Sequence, residues 1–399
     1  MRSTLRPRRH KPGHDGRTPP SVAFSLHRLH WRGAGRDGVS ATVGGMNARV
    51  RAIMSNQWGL VTRFQAIAAG MSAAAVDQLV KSGAWLALRR GVYTAREYVE
   101  SLTTHAEQRL LADRAASLRV AASHVLSHHS AAYALQLPVL REPRPVSHLT
   151  RPGIVGTHRR RDIAQHLAPY PQEQATAVHG VGVLGLARTA LDITREHGYQ
   201  QGLVAADSAM RLGVTRSQLA EVKALMWCWP RSTIMDEVIA SASADADSPG
   251  ETLMRILVEG LGFGTPELQF GLSADGRTAW CDLRLGRHLF EFDGMVKILG
   301  PHDGGVALQP ATEVLWEEKG RQDFLTGFKL GISRGTWADV WGAGVEHARA
   351  RFRREYLDTC SRFGTDVSDL APFRPRGPRP RPRPTPPAYR LMGWGRWAA

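Results

Sequence analysis

Short blocks of helical periodicity open the ordered part of the chain. In SAAAVDQLVKSG, Val76, Leu79 and Val80 fall at the i, i+3, i+4 spacing of one buried helix face. Thr62 starts the preceding block, TRFQAIAAG, with a capping hydroxyl, and Gly70 stops it. Ser72 caps the second block and Gly83 ends it. Two short helices across a Gly-containing turn predict a helix-turn-helix. The alternating WLALRRGVYTA that follows predicts a β-wing turning at Arg89-Arg90-Gly91. A winged helix-turn-helix is therefore expected over 46–100.

Beyond it, residues 104–122 read as an Ala/Leu/Arg helix, PVSHLT as a strand, and GVLGLARTALDITREHG as the end of a small α/β region spanning 101–240. The small, polar SASADADSP (241–249) separates two helical patterns as a linker would. After it, SPGETLMRILVEGLGF predicts a helix with Pro249 in its first turn. TAWCDLRL and HLFEFDG predict two strands joined by a turn at Gly286. VLWEEKGRQDFLTGFKLG then predicts a helix, and ISRGTWADVW a last strand. Trp280, Trp316, Trp337 and Trp341 are expected in the core. The predicted fold class is α+β multidomain, with a C-terminal module over 248–342.

Charge changes this picture less than its size suggests. The net charge is +16, but nine basic against two acidic residues in 1–45, and seven arginines against no acid in 371–399, account for +14 of it. Residues 1–45 read as a disordered basic tail, with Met46 the expected start of translation. Residues 371–399, containing RPRGPRPRPRPTPP, read as an extended Arg/Pro tail. The three cysteines are far apart, the N-terminus lacks an apolar leader core, and no run of 18 apolar residues exists. These features point to a cytoplasmic protein without membrane contact, disulfide framework or cysteine-held zinc.

Two sets of residues could carry chemistry. In the helix-turn-helix, the start of the second helix would face base edges, placing Ser72, Ala73 and Asp77 there with Lys81 further along, while Arg89 and Arg90 would meet phosphate or the minor groove. DNA is the expected partner. In the C-terminal module, Asp282 and Glu291 lie on strands joined by a hairpin, and Asp293 stands two residues beyond Glu291. Clustered carboxylates on neighbouring strands suit a hard divalent ion, Mg²⁺ or Mn²⁺, held with substrate phosphate. Glu251, three residues after Ser248, suits either that site or a capping box. His124, His128 and His129 lack the glutamate of a metalloprotease motif, and Ser127 is placed to cap HSAAYAL, so they read as structural.

The run GLVTRFQAIAAGMSAAAVDQLVKSGAWLALRRGVYTA resembles the N-terminal domain of AbiEi antitoxins, and the stretches Ser127–Ala132 and LARTALDI resemble the same family. That resemblance implies promoter binding and a cognate toxin as partner. The order helix Glu, Asp, then Glu-x-Asp-Gly resembles PD-(D/E)XK nucleases of the branch similar to very-short-patch-repair endonucleases, implying a restriction-endonuclease-like α/β/α core. By this resemblance Asp282 and Glu291 bind metal, and Lys297 assists the phosphate or attacking water. Glu318, Lys319, Arg321 and Asp323 match a charged helix of that branch. Gly320 and Gln322 depart from it, and Asp293 stands where a lysine is usual. Two functions are thus expected to compete: a metal-dependent endonuclease, and an antitoxin-type regulator with a degenerate nuclease fold.

Overall fold

The computed structural model describes residues 46–178, 180–226, 228–294, 311–377 and 379–380. Lys297 and the greater part of both basic tails lie outside them. The described residues belong to one compact unit, Gly45–Ala399, and their strands form three sheets, giving a mixed α+β chain.

The first sheet, in the order β1-β3-β2, is antiparallel: β1 (Leu60–Thr62), β2 (Trp85–Arg89) and β3 (Val92–Ala95). Around it stand α1 (Ala48–Asn56), α2 (Arg63–Ala68), α3 (Ala73–Lys81) and α4 (Arg96–Ser101). The caps form where the sequence places them. Thr62 and Gln65 make a reciprocal capping box on α2, and the Ser72 hydroxyl accepts from Ala75 N on α3. Val50, Met54, Val61, Ala66, Val76, Trp85 and Tyr93 bury together beneath these elements.

The second sheet has the order β6-β7-β5-β4-β9-β8. Its strands are β4 (Val125–Leu126), β5 (Ser147–Thr150), β6 (Thr157–Arg160), β7 (Ile163–His166), β8 (Ala175–Val178) and β9 (Val181–Leu184). The associated helices are α5 (His105–Ser117), α6 (His128–Ala134), α7 (Leu186–His197), α8 (Tyr199–Arg211), α9 (Arg216–Ala224) and α10 (Ser232–Ser241). α5 stops five residues short of the predicted end. Ser127 is the N-cap of α6, but its hydroxyl makes no capping bond and turns to His128 Nδ1 at 3.0 Å. Arg188 and Asp192, both buried, pair at 3.0 Å within α7.

The segment after α10 is tied down. Ser243 N donates to one Asp207 oxygen, while Thr252 and Arg255 donate to the other, all at 2.8 Å. One buried aspartate thus fastens α8, the connection and α11 (Pro249–Glu259) together.

The third sheet has the order β10-β11-β12-β13: β10 (Glu267–Ala274), β11 (Arg277–Leu285), β12 (His288–Phe292) and β13 (Gly331–Gly335). Only β12–β13 is parallel, as expected when α12 (Ala311–Thr326) crosses between them. α11 and α14 (Val345–Phe363) pack with Leu283, Leu285, Phe290 and Phe292, while Phe324 and Leu325 of α12 pack with Ala279, Cys281 and Leu289. A sheet between helical layers results, with α13 (Trp337–Val340) near the end of β13. β10 and α14 carry no signal that predicted them above. Trp316, Trp337 and Trp341 are not core residues; they are 71%, 44% and 39% exposed. The core is filled instead by Phe270, Phe290 and Phe352. A short 3-10 helix, Ser368–Phe373, closes over β10 through Leu370. No helix among the described residues is long and apolar enough to cross a membrane.

Candidate functional site

The N-terminal surface is assembled from the start of α3 and the β2–β3 hairpin. Ser72, Ala73, Ala74, Asp77, Gln78 and Lys81 are exposed on α3. Asp77 is held by Arg63 of α2 at 2.5 and 3.0 Å, which keeps its carboxyl below the usual range. That face therefore offers the free N-terminal turn, Ser72 and Lys81 as its donors. Arg90 is exposed at the hairpin turn. Arg89, its neighbour, points the other way: it pairs with Asp162 at 2.9 Å and reaches Ser147 Oγ at 3.4 Å, fastening β2 to the middle sheet. The sequence could not separate these two arginines, because only strand pleat and a bulge between Ala87 and Arg89 decide which one turns inward.

The C-terminal carboxylates divide into two groups. Glu251 sits in the first turn of α11, 7% exposed. Its Oε2 accepts from Asp247 N at 2.8 Å and from Gln269 Nε2 at 3.2 Å, and its Oε1 accepts from Ser248 Oγ at 3.0 Å. The helix is capped by Ser248, whose hydroxyl accepts from Glu251 N, while the Glu251 carboxylate goes to Asp247 N and not to Ser248 N, so the reciprocal capping box is not formed. Glu251 also faces Asp282, since burial first, and the Asp282 charge second, push its carboxyl up to about 7.

The approach of α11 to the sheet depends on Gly250, where a Cβ would lie 2.1 Å from the Phe292 ring. Any side chain there would lift Glu251 away from Asp282. Asp282 itself is half-buried on β11 and accepts the backbone N–H of Phe292 at 2.8 Å. It is fastened across the strand pair, beside the position from which Glu291 projects.

Glu291 is 7% exposed, and guanidinium groups occupy its oxygens. Arg321 of α12 binds both, Nη1 to Oε1 at 2.5 Å and Nη2 to Oε2 at 2.7 Å, and Arg334 approaches at 3.5 Å. Arg321 and Arg334 both also bond Glu318. This bidentate clamp holds Arg321 in its cationic form. Asp293 follows the end of β12, and its backbone N–H donates to Gly335 O at 2.8 Å. Arg334 escaped the sequence reading. Its signal was positional: the parallel β12–β13 register sets Arg334 directly beside Glu291.

A cleft of about 290 Å³ adjoins this region, lined among others by Glu267, Gln269, Trp280, Arg374 and Arg379. Arg379 pairs with Asp247 at 3.0 Å and also contacts Gln269.

Residues 49–95 match the model of a family described as transcriptional regulator, AbiEi antitoxin. No curated protein matches the chain. The matched stretch runs from α1 through the hairpin and takes in every exposed residue of the N-terminal surface described above.

Proposed function

We propose that the chain is a DNA-binding regulator whose residues 46–100 form a winged helix-turn-helix, carried by a body that ends in an endonuclease-like α/β/α core. The observation that carries this reading is the coincidence of the family match over 49–95 with a capped α2–turn–α3 unit and a hairpin. In this reading α3 enters the major groove by its N-terminal turn, where the Ser72 cap leaves backbone N–H groups and small side chains close to the bases. Lys81 and Arg90 contact phosphate and supply the salt-dependent part of the affinity. Arg89 contributes indirectly, by fixing the wing against the middle sheet. A cognate toxin is the protein partner that an antitoxin-type regulator would bind.

Electrophoretic mobility shifts of the full chain on DNA from its own upstream region test this. Lys81→Ala and Arg90→Ala should each weaken binding and lower the slope of log K against log salt by about 1. Unchanged affinity and slope in both would remove the winged surface from the reading.

A second reading, a metal-dependent nuclease, is favoured by the Glu251–Asp282 pair. Two carboxylates held together with one of them pushed up to about 7 is an arrangement that a divalent cation relieves. Asp282 and Glu251 would hold Mg²⁺ or Mn²⁺, which when bound would polarise a scissile phosphate. Glu291 does not fit this role while Arg321 occupies both its oxygens. Nicking of supercoiled plasmid by the wild type, lost in Asp282→Ala with DNA binding retained, would establish cleavage. No nicking in either protein leaves the regulator alone.

A further inference from the structure

The middle sheet buries a second cluster of ligand-type side chains with no part in either reading above. His129 on α6, His148 on β5, His197 at the end of α7 and Glu142 on the loop between α6 and β5 converge on one point. Glu142 Oε1 lies 2.9 Å from His148 Nε2, 3.4 Å from His197 Nε2 and 3.6 Å from His129 Nδ1. His129 and His148 are fully buried, and Glu142 is 8% exposed.

We propose that His129 Nδ1, His148 Nε2 and Glu142 bind one Zn²⁺ ion, with a water molecule completing its coordination. Two imidazoles and a carboxylate are a donor set zinc accepts with a fourth position open, and their ligand atoms lie within 4.8 Å of one another.

The second observation is an electrostatic mismatch. His129 Nε2 lies 3.1 Å from the Leu140 carbonyl, which can only accept, so that nitrogen carries the proton. In the neutral ring the lone pair of Nδ1 then faces a carboxylate oxygen with no hydrogen between them. His129 Nδ1 and Glu142 Oε2 are both buried without a hydrogen-bond partner. A cation between His129 Nδ1 and the Glu142 carboxylate removes the mismatch.

The surroundings have the form of an outer ligand shell. The Leu140 carbonyl orients His129. His166 Nε2 lies 3.0 Å from His148 Nδ1 and orients that ring, while His197 Nε2 stands 3.4 Å from Glu142 Oε1 without hydrogen-bonding it. When zinc takes His148 Nε2, the proton of that ring sits on Nδ1 and donates to His166 Nε2. His166 in turn carries its proton on Nδ1, 3.4 Å from Thr157 Oγ1. Both rings stay neutral, and the count of protons is unchanged. Asp113 and Asp192, each fully buried, face His148 from α5 and α7, each already paired with arginine: Asp113 with Arg109 at 3.2 Å and Asp192 with Arg188 at 3.0 Å.

A competing set, His128 with His148 and His166, is equally close. The His128 ring, however, stacks over the other two, within 22–23° of parallel and with centroids 4.9 and 4.1 Å from those of His148 and His166. Lone pairs lie in the ring planes, so those of His128 run alongside those of the other two rings and do not meet them at one ion.

The test is zinc binding by the full chain, stripped with chelator and titrated with Zn²⁺ against a chromophoric competitor, followed by Co²⁺ spectra. One equivalent is expected in the wild type and in Asp282→Ala. Affinity should fall at least about 100-fold in His129→Ala, and about 10- to 100-fold in the positioning variant His166→Asn. Absence of a bound equivalent in the wild type, equal affinity in His129→Ala, or loss of the site in Asp282→Ala would each overturn the assignment. Should His129→Ala not fold, the wild type decides. Intense d–d absorption of a four-coordinate Co²⁺ centre without a thiolate charge-transfer band supports the site, and a weak six-coordinate spectrum overturns it.

Discussion

The middle and C-terminal sheets both bury clusters of ionisable groups, and they meet the desolvation cost in opposite ways. Around β5 and β7, burial drives two imidazoles neutral: His129 is brought down to about 4 and His166 to about 3. Around β12, carboxylates are met by guanidiniums, as in the Arg321–Glu291–Glu318–Arg334 network, where the two arginines hold the Glu318 carboxyl below the usual range. Neutral imidazoles keep a lone pair that a metal ion can take. A carboxylate clamped by arginine is not open to one. Between the two stands Glu251, a carboxylate that burial and the neighbouring Asp282 carboxylate push up to about 7.

The largest expected effect tests the proton side of this contrast. In the metal-free protein, His129 and His166 have folded pKa values below the unfolded value of about 6.5. The unfolded chain therefore binds more protons over the interval between them, and stability falls as pH drops through it. Each imidazole loses about 2 kcal/mol between pH 7 and pH 5, roughly 4 together. Glu142, held far below the usual carboxylate range despite burial by His148 and His197, adds a further loss only below about pH 4.5. Denaturant midpoints at stepped pH measure this. A flat profile from pH 7 to 5 would mean the imidazoles enter the fold already charged.

Arg321→Leu tests the other cluster. Removing one partner of a buried pair leaves an uncompensated charge, which costs about 3–5 kcal/mol. Arg334 remains near Glu291, and 27% of the Arg321 side chain is exposed, so the lower end applies, about 3 kcal/mol. Arg321→Leu with Glu291→Leu should recover most of that loss in a double-mutant cycle. Failure to recover would show that Arg321 serves α12 through Glu318 more than it serves Glu291.

Glu251→Gln joins the two contrasts. The folded pKa of Glu251 lies above its unfolded value, so the native state binds the extra proton between about 4.5 and 7 and stability falls as pH rises through that window. The neutral amide escapes this. The change in stability caused by Glu251→Gln should be more favourable at pH 8 than at pH 5 by about 2 kcal/mol. Saturating Mg²⁺ should flatten the wild-type profile if the nuclease-type reading holds. An identical effect of the substitution at both pH values would show that Glu251 acts only through its hydrogen bonds to Asp247, Ser248 and Gln269.

What could be read from the sequence follows the same division. Caps, turns and alternation are local, so α2, α3, the hairpin at Arg90-Gly91, β11 and β12 were all legible, and so were the acids Asp282 and Glu291. Pairings between distant segments were not. The β12–β13 register that sets Arg334 beside Glu291, and the fold that brings His129, Glu142, His148 and His197 together, leave no spacing in the chain. The sequence supported rejecting a motif of adjacent histidines, yet the cluster forms from histidines spread over about seventy residues. The exposed tryptophans show the converse limit. Aromatic composition says nothing of which side of α12 or α13 faces water.

The smallest expected effect separates the two sets of histidines. Ser127 was legible as a helix cap, but in the structure its hydroxyl serves the His128 ring, which stands on a residue with φ of 49° and stacks over His148 and His166. Ser127→Ala leaves both nitrogens of a buried imidazole unpartnered, since Nε2 already lacks a partner. A cost of about 1 kcal/mol is expected in thermal or denaturant unfolding. Zinc affinity should stay unchanged, because His128 stacks on His148 and His166 without donating to the ion. His166→Asn, one hydrogen bond away from a ligand, should weaken it markedly. If Ser127→Ala weakened zinc binding as much as His166→Asn does, the stacked rings would have rotated to meet an ion, and the ligands would be His128, His148 and His166, with Glu142 left in the supporting role.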